Sequence, residues 1–351
     1  MTLAETLKNI RPLDRSTERA AQERLDSLTK PQGSLGKLEE LARRIAVIQG
    51  RVPPRLGRKV LFVFAADHGI AEEGVSAYPQ EVTAQMTYNF LGGGAAINVL
   101  ARHHGVETEV VDVGVDHDFT GLPGLRHHKF RRGTANFSQG PAMTHDEAAR
   151  AVNLGVDLAR EAARENVFLL SAGDMGIGNT SSAAAIVCAM TGAAAADVVG
   201  RGTGIDDQTL ERKIAAIERG LEINRPDAHD MFDVLAKVGG LEIAAITGLI
   251  LGAAALRVPM VLDGFISGAA ALLAQGFSPH VRDILMASHL SAERGHRRML
   301  DQLELTPILD LSLRLGEGTG ACILMGLIEA AVKIMGEMAT FKSAGVKEKL
   351  A

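Results

Sequence analysis

Apolar strands and small-residue helices alternate along most of this chain. KVLFVFAADHG (59–69) is a run of consecutive β-branched and aromatic residues, and similar runs follow at ETEVVDVGV (107–115), NVFLLSAGD (166–174), VPMVLDG (258–264), VRDILMAS (281–288) and PILDLSL (307–313). Runs that are apolar on both faces fit central parallel strands covered by helices. Helices rich in Ala and Gly come after most of them, as in GAAINVLARHHG (94–105), NTSSAAAIVCAMTG (179–192), ISGAAALLAQG (266–276) and GACILMGLIEAAVKIMGEM (320–338). The alternation implies an α/β fold with a doubly wound parallel sheet. Ligands of such sheets bind at the carboxyl ends of the strands, where the glycine-rich segments of this chain fall. Ahead of this region, residues 1–50 read as helices broken at Pro31 and Gly33. Segment 114–144 reads as a long connection, and the tail from Phe341 is expected to fray.

Composition removes several classes of function. The 351 residues suffice for one large α/β domain or two modest ones. Aromatic residues make up 4% of the chain and Trp is absent, which argues against a stacking surface for single strands. A net charge of −5 without a basic tract argues against nucleic acid as a partner. Cys188 and Cys322 lie in apolar stretches without metal or redox spacing, as reduced core cysteines of a cytoplasmic protein do. The apolar tract Ile243–Leu256 falls short of the roughly 20 residues a membrane span needs. Its Gly248-x-x-x-Gly252 spacing is read as close packing in a core.

Several segments carry candidate chemistry. LLSAGDMGIGNTSSAAA (169–185) runs from a strand end at Gly173 to a helix start near Asn179 and Thr180. Gly176 and Gly178 let backbone N–H groups face an anion, and the helix N-terminus adds partial positive charge. It is neither a P-loop nor a Gly-x-Gly-x-x-Gly fingerprint. A tight turn capped by Asn179 or Thr180 explains the same residues. Gly200, Gly202 and Gly204 precede a helix with Lys213, which is either a point charge for phosphate or a lysine on a solvated face. Asp263 closes a strand and is read as a cap or a ligand contact. His289 and His296 flank Ser291 and Glu293 but are not the i, i+4 pair of a zinc helix, and no metal site is expected. Asp67–His68 at a strand end is either a catalytic pair or a hydrogen-bonded turn. RLGEGTGACILMG (314–326) places Glu317 between Gly316 and Gly318, just ahead of an apolar helix. A lone acid in that setting is a cap or a reactive group.

Eight stretches in order cover nearly the whole chain: TKPQGSLGKLEELA (29–42), AADHGI (65–70), GVSAYPQEVT (74–83), GDMGIGNTSSAAA (173–185), GRGTG (200–204), DGFISGAAA (263–271), SHLSAERGH (288–296) and LGEGTGA (315–321). Together they resemble the nicotinate-nucleotide–dimethylbenzimidazole phosphoribosyltransferase (CobT) family. The resemblance implies a large Rossmann-like catalytic domain over residues 51–324. It also implies a small helical domain built from both chain ends, 1–50 with 325–351, and a homodimer in which the partner helps close each site. The implied reaction moves the phosphoribosyl group of nicotinate mononucleotide to 5,6-dimethylbenzimidazole in cobalamin nucleotide-loop assembly. The family's catalytic base maps onto Glu317. Where many members have Gly-Glu-Met-Gly-Ile-Gly-Asn-Thr-Thr, this chain has Asp174 and Ser181, and an Asp is one methylene shorter.

Such a donor releases no pyrophosphate, and its departing pyridine nitrogen ends neutral. Neither a Mg²⁺ clamp nor a general acid is then required, and no cofactor or metal is expected. VVDVGVDHD (110–118) is a poor match to the acidic-pair loop that phosphoribosyl-pyrophosphate enzymes use. On this resemblance Gly176, Gly178, Asn179, Thr180, Gly202, Lys213, Asp263 and Ser291 are expected to hold phosphate and ribose. Tyr78, Gln85 and Leu315 are expected at the acceptor base, and Asp174 joins Glu317 as a catalytic candidate. Two rivals are a sugar-phosphate or nucleotide hydrolase, with Glu317 activating water, and a non-catalytic nucleotide-binding protein.

Overall fold

Every residue of Arg58–Ala66 (β1) after Arg58 is buried, because helices cover both faces of the strand. In the computed structural model, which describes residues 2–202 and 204–347, three helices come first: α1 (Leu3–Asn9), α2 (Ser16–Asp26) and α3 (Lys37–Gln49). After β1 follow α4 (Val82–Leu91), α5 (Ala96–His104), β2 (Glu107–Gly114), β3 (Leu125–His127), α6 (His145–Arg164) and β4 (Val167–Met175). Then come α7 (Asn179–Thr191), α8 (Ala195–Val198), α9 (Asp207–Asn224), α10 (Met231–Val238) and α11 (Leu241–Leu256). The chain ends with β5 (Met260–Leu262), α12 (Phe265–Phe277), β6 (Leu285–Ala287), α13 (His296–Gln302), α14 (Thr319–Glu337) and α15 (Phe341–Ala344).

The sheet order is β3-β2-β1-β4-β5-β6, and every pairing is parallel. From β1 the chain winds outward to β2 and β3, then returns to β4 and winds the other way. The reversal leaves a crevice between the carboxyl ends of β1 and β4, the switch point at which doubly wound sheets bind ligands. Alternate residues of β1 feed two cores. Val60, Phe62 and Phe64 join an apolar cluster with α6, α7, α11 and α12. Leu61, Val63 and Ala65 join a second cluster with α3, α5 and α14. Gly248 and Gly252 bring α11 against Val152 and Val156 of α6, so closely that a Cβ at Gly248 collides with backbone.

Some elements differ from the sequence reading. Pro307–Leu313 is not a strand: one parallel bridge links Leu309 to His289, while Leu311 is exposed and Ser312 takes a φ of +54°. The connection 114–144 contains β3, a three-residue edge strand whose Leu125 pairs with Val110. Residues 341–344 form the short helix α15, capped by the Thr340 hydroxyl, and residues 348–351 lie outside the described part. Among the described residues the one helix long and apolar enough to cross a membrane is α14, and its Cys322, Met325, Ile328 and Met335 are buried in the second core. The two chain ends meet there. Thr29 N–H donates to the Ala339 carbonyl at 3.0 Å, and the Arg24 guanidinium donates to the carbonyls of Met335 and Met338.

Candidate active site

Gly176, Ile177 and Gly178 make the whole turn between β4 and α7. Gly178 is the N-cap residue with φ 96°, and no side chain caps the helix. The capping roles expected of Asn179 and Thr180 are therefore not what their side chains do. Asn179 Nδ2 donates to Asp174 Oδ2 at 2.9 Å. Thr180 Oγ1 accepts from Lys213 Nζ at 2.8 Å. A cleft of about 470 Å³ opens over the turn. Tyr78, Asp174, Gly176, Asn179, Thr180, Gly202, Asp263, Ser291 and Leu315 all line it. Gly178, Lys213, Gln85 and Glu317 are not among the lining residues. Gln85 is exposed on α4, while the other three lie behind the wall.

Lys213 is 1% exposed, so the solvated-face reading of its helix fails. It projects from α9 toward the first turn of α7. Burial pushes its pKa from the ordinary 10.5 down to about 8, with the negative charge of Glu293 opposing. Gly202, with φ +49°, passes close to the ammonium. Glu293 lines the cleft, and its buried Oε2 has no hydrogen-bond partner among the described residues.

Glu317 is held in an uncommon backbone state. Gly316, Glu317 and Gly318 have φ values of +81°, +61° and +90°. Glycine takes such values freely, whereas a side chain there costs roughly 1–2 kcal/mol. The turn fits because Gly173 of β4 lies against the Glu317 carbonyl, where a Cβ would collide. The Glu317 side chain is buried, and its Oε2 accepts the Ile97 N–H of α5 at 3.2 Å. Burial raises its pKa, with that N–H bond opposing.

Asp263, expected at phosphate or ribose, lines the cleft, but its oxygens are engaged elsewhere. Oδ2 accepts Gly318 N–H at 3.2 Å and Oδ1 accepts Ala321 N–H at 3.0 Å, so a strand-end acid caps α14 across the sheet. Burial pushes its pKa to about 7, against these N–H bonds. Asp174 rises to about 8 through burial and then the charge of Asp263. Asp174, Asp263 and Glu317 therefore form a cluster of acids that resist ionising together. Ser291 is fixed through its backbone: its N–H donates to His296 Nδ1 at 2.8 Å. Burial drives the His296 pKa to about 3, so this ring is a neutral acceptor.

The sequence reading did not place Glu293, His289 or Arg314 in the site, yet all three line the cleft. The first two sit in the SHLSAERGH stretch that contributed Ser291, which was the available signal. Among the described residues no three His, Cys, Asp or Glu side chains are grouped as a metal ion requires.

A switch-point cleft with a buried cation on one side and buried acids on the other suits an α/β enzyme that handles a phosphorylated sugar. The family model described as Phosphoribosyltransferase matches residues 10–346. Nicotinate-nucleotide–dimethylbenzimidazole phosphoribosyltransferase of Geobacter sulfurreducens is 59% identical over 99% of this chain and 98% of its own length. The protein of that name from Chloroflexus aggregans is 56% identical over 99% and 98%. The crystal structure of CobT from Thermus thermophilus superposes with a TM-score of 0.90 at 51% identity, covering 95% of this chain and 99% of that one. This chain belongs to the CobT phosphoribosyltransferase family.

Proposed function

We propose that this protein transfers the phosphoribosyl group of nicotinate mononucleotide to 5,6-dimethylbenzimidazole, giving α-ribazole 5′-phosphate and nicotinate, with Glu317 as general base. One acceptor nitrogen attacks C1′ of the ribose while the C1′–pyridinium bond breaks, and its electron pair neutralises the departing ring. The other acceptor nitrogen loses its proton to the Glu317 carboxylate. The observation that supports this role is the site of Glu317: a buried carboxyl with a raised pKa, on a strained left-handed residue between two glycines. A raised pKa makes it a stronger proton acceptor than a carboxylate in water. On the donor side Lys213, Thr180 and Gly202 converge and supply the positive charge and hydroxyl that a phosphate accepts from. Lining positions Tyr78 and Leu315 suit a flat acceptor. The same reading takes a homodimer, a cytoplasmic location, and a small helical unit of residues 1–50 and 325–351 beside a larger one of 51–324.

The test is nicotinate release, measured with and without dimethylbenzimidazole. Transfer requires release to depend on the acceptor, whereas a hydrolase releases nicotinate without it. Glu317→Gln is expected to lower kcat by at least about a hundredfold, the scale of a lost general base, with donor Kd unchanged. Normal turnover in that variant refutes the assignment.

A further inference from the structure

The transfer reaction gives no task to Asp67–His68, the polar pair at the end of β1. His68 has no exposed surface, nor do Glu242 and Ser182, which hold its two ring nitrogens. His68 Nε2 lies 2.7 Å from Glu242 Oε1 in the first turn of α11. Its Nδ1 lies 3.1 Å from Ser182 Oγ in the first turn of α7. The second Glu242 oxygen is buried without a hydrogen-bond partner among the described residues. The trio has the composition of a nucleophile, a base and an orienting acid. None of its members lines the cleft, however, so Ser182 meets no substrate.

What the trio does meet is the glycine turn. Gly176 packs against the Ala66 carbonyl and, beside it, the His68 ring, with Cδ2 and Nε2 at 3.3 and 3.4 Å from where a side chain there would begin. The His68 Cβ stands 3.3 Å from the corresponding point of Gly178. Beside it, Thr83 Oγ1 accepts the Ile177 N–H at 3.1 Å. Gly176 thus rests on the Ala66 carbonyl and the His68 ring, Ile177 on the Thr83 hydroxyl, and Gly178 on the His68 Cβ and Ile70. A buried Glu–His pair is weak evidence for stability, since well-packed apolar residues often serve as well. Its position beneath a turn that faces the cleft supplies the missing reason.

We propose that His68, clamped between Glu242 and Ser182, is a positioning residue for the transfer. It fixes the height of the Gly176–Gly178 turn and of the first turn of α7 against the phosphorylated donor. This rests on the donor reading of that turn given above. Three elements meet in the clamp, the end of β1 and the starts of α7 and α11, so a loosened imidazole lets α7 shift with the turn. The effect belongs on the donor and leaves the acceptor untouched.

The test uses the full chain carrying Ser182→Ala, Glu242→Gln, or both. KM for nicotinate mononucleotide and for dimethylbenzimidazole is measured at saturating partner, with melting temperature alongside. Ser182→Ala removes one hydroxyl without changing the packing, and is expected to raise donor KM about fivefold to tenfold, the effect of one lost buried hydrogen bond. Glu242→Gln raises it at least as much, acceptor KM stays unchanged, and the double variant falls short of the product because both act through one ring. A folded Ser182→Ala variant with both KM values unchanged overturns the clamp, whatever Glu242→Gln does to folding. A rise in acceptor KM alone overturns the clamp and the donor reading together. Lys213→Ala in the same assay tests that donor reading without involving His68.

Discussion

The lysine that the fold buries beneath the cleft should make donor binding depend on pH in a calculable way. With a pKa of about 8, Lys213 of the free protein is about 90% protonated at pH 7 and about 10% at pH 9. The donor phosphate has its second pKa near 6, so it is almost wholly dianionic across that range. An anion set beside the ammonium offsets its desolvation and returns its pKa toward the ordinary range. If the bound complex stays protonated, the apparent Kd is proportional to 1 + 10^(pH − 8), which rises about tenfold between pH 7 and pH 9. Binding should then take up close to one proton at pH 9 and almost none at pH 7. Titration calorimetry in buffers of different ionisation enthalpy reads both quantities. Lys213→Met should bind the donor weakly at both pH values, with no proton uptake. Stability gives an independent reading. The folded pKa lies below the unfolded one, so between about 8 and 10.5 the unfolded chain binds more protons and stability rises with pH, by about 3 kcal/mol in all. Without ligand, Lys213→Met should therefore melt above the parent at pH 7. A donor Kd that stays flat from pH 7 to pH 9 in the parent protein refutes the phosphate role.

The acids shift the other way, with the opposite sign for stability. Asp174 has a folded pKa of about 8 against an ordinary 3.8, so its contribution to stability is fully present below about 4 and is lost as pH rises through that window; Asp174→Asn should flatten the pH dependence of unfolding between about 4 and 8, read by chemical denaturation. Asp263→Asn places an amide N–H against the N–H groups of Gly318 and Ala321, and should cost about 1–3 kcal/mol of stability. A variant of Asp263 that loses turnover with an unchanged melting temperature would argue for a ligand role rather than a cap.

The sheet was legible because β1 and β4 are buried on both faces and are apolar over most of their length, while β2 is apolar at Val110, Val111 and Val113 in its buried half. β3 escaped because three residues at an edge, two of them Arg126 and His127, carry no apolar run. PILDLSL misled for the converse reason: its alternation mimics a strand, yet Leu311 faces solvent and the backbone turns at Ser312. The glycine turns were legible since backbone geometry demands that residue type. The fate of the charged side chains was not, because it depends on partners far away in sequence. Asp263 caps a helix whose N-cap residue lies 55 positions later, and His68 meets an acid 174 residues on. Local pattern left Lys213 open between a phosphate contact and a solvated helix face, and its burial against Thr180 of α7 and Gly202 is a long-range contact that the pattern does not carry.

These placements divide the work of the cleft. On the proposed reaction, positive charge enters on the pyridinium nitrogen, passes through C1′, and leaves on the acceptor nitrogen until its proton departs. Asp174 lines the cleft with a pKa of about 8 and can ionise as a cation arrives, whereas the Asp263 oxygens are held by the α14 cap. A carboxylate that favours the cation at every station stabilises ground state and transition state alike, which improves KM and leaves kcat alone. The interaction that changes along the reaction is proton transfer to Glu317, which grows as the new bond forms. Of the three acids only Glu317 is mounted on a strained left-handed residue, with its carboxyl held at the N-terminus of α5. Backbone strain is retained where geometry has to be held against it. On the proposed reaction the cluster separates into Asp174, which receives a charge, Asp263, which caps α14, and Glu317, which removes a proton, and loss of Glu317 is expected in kcat rather than in KM.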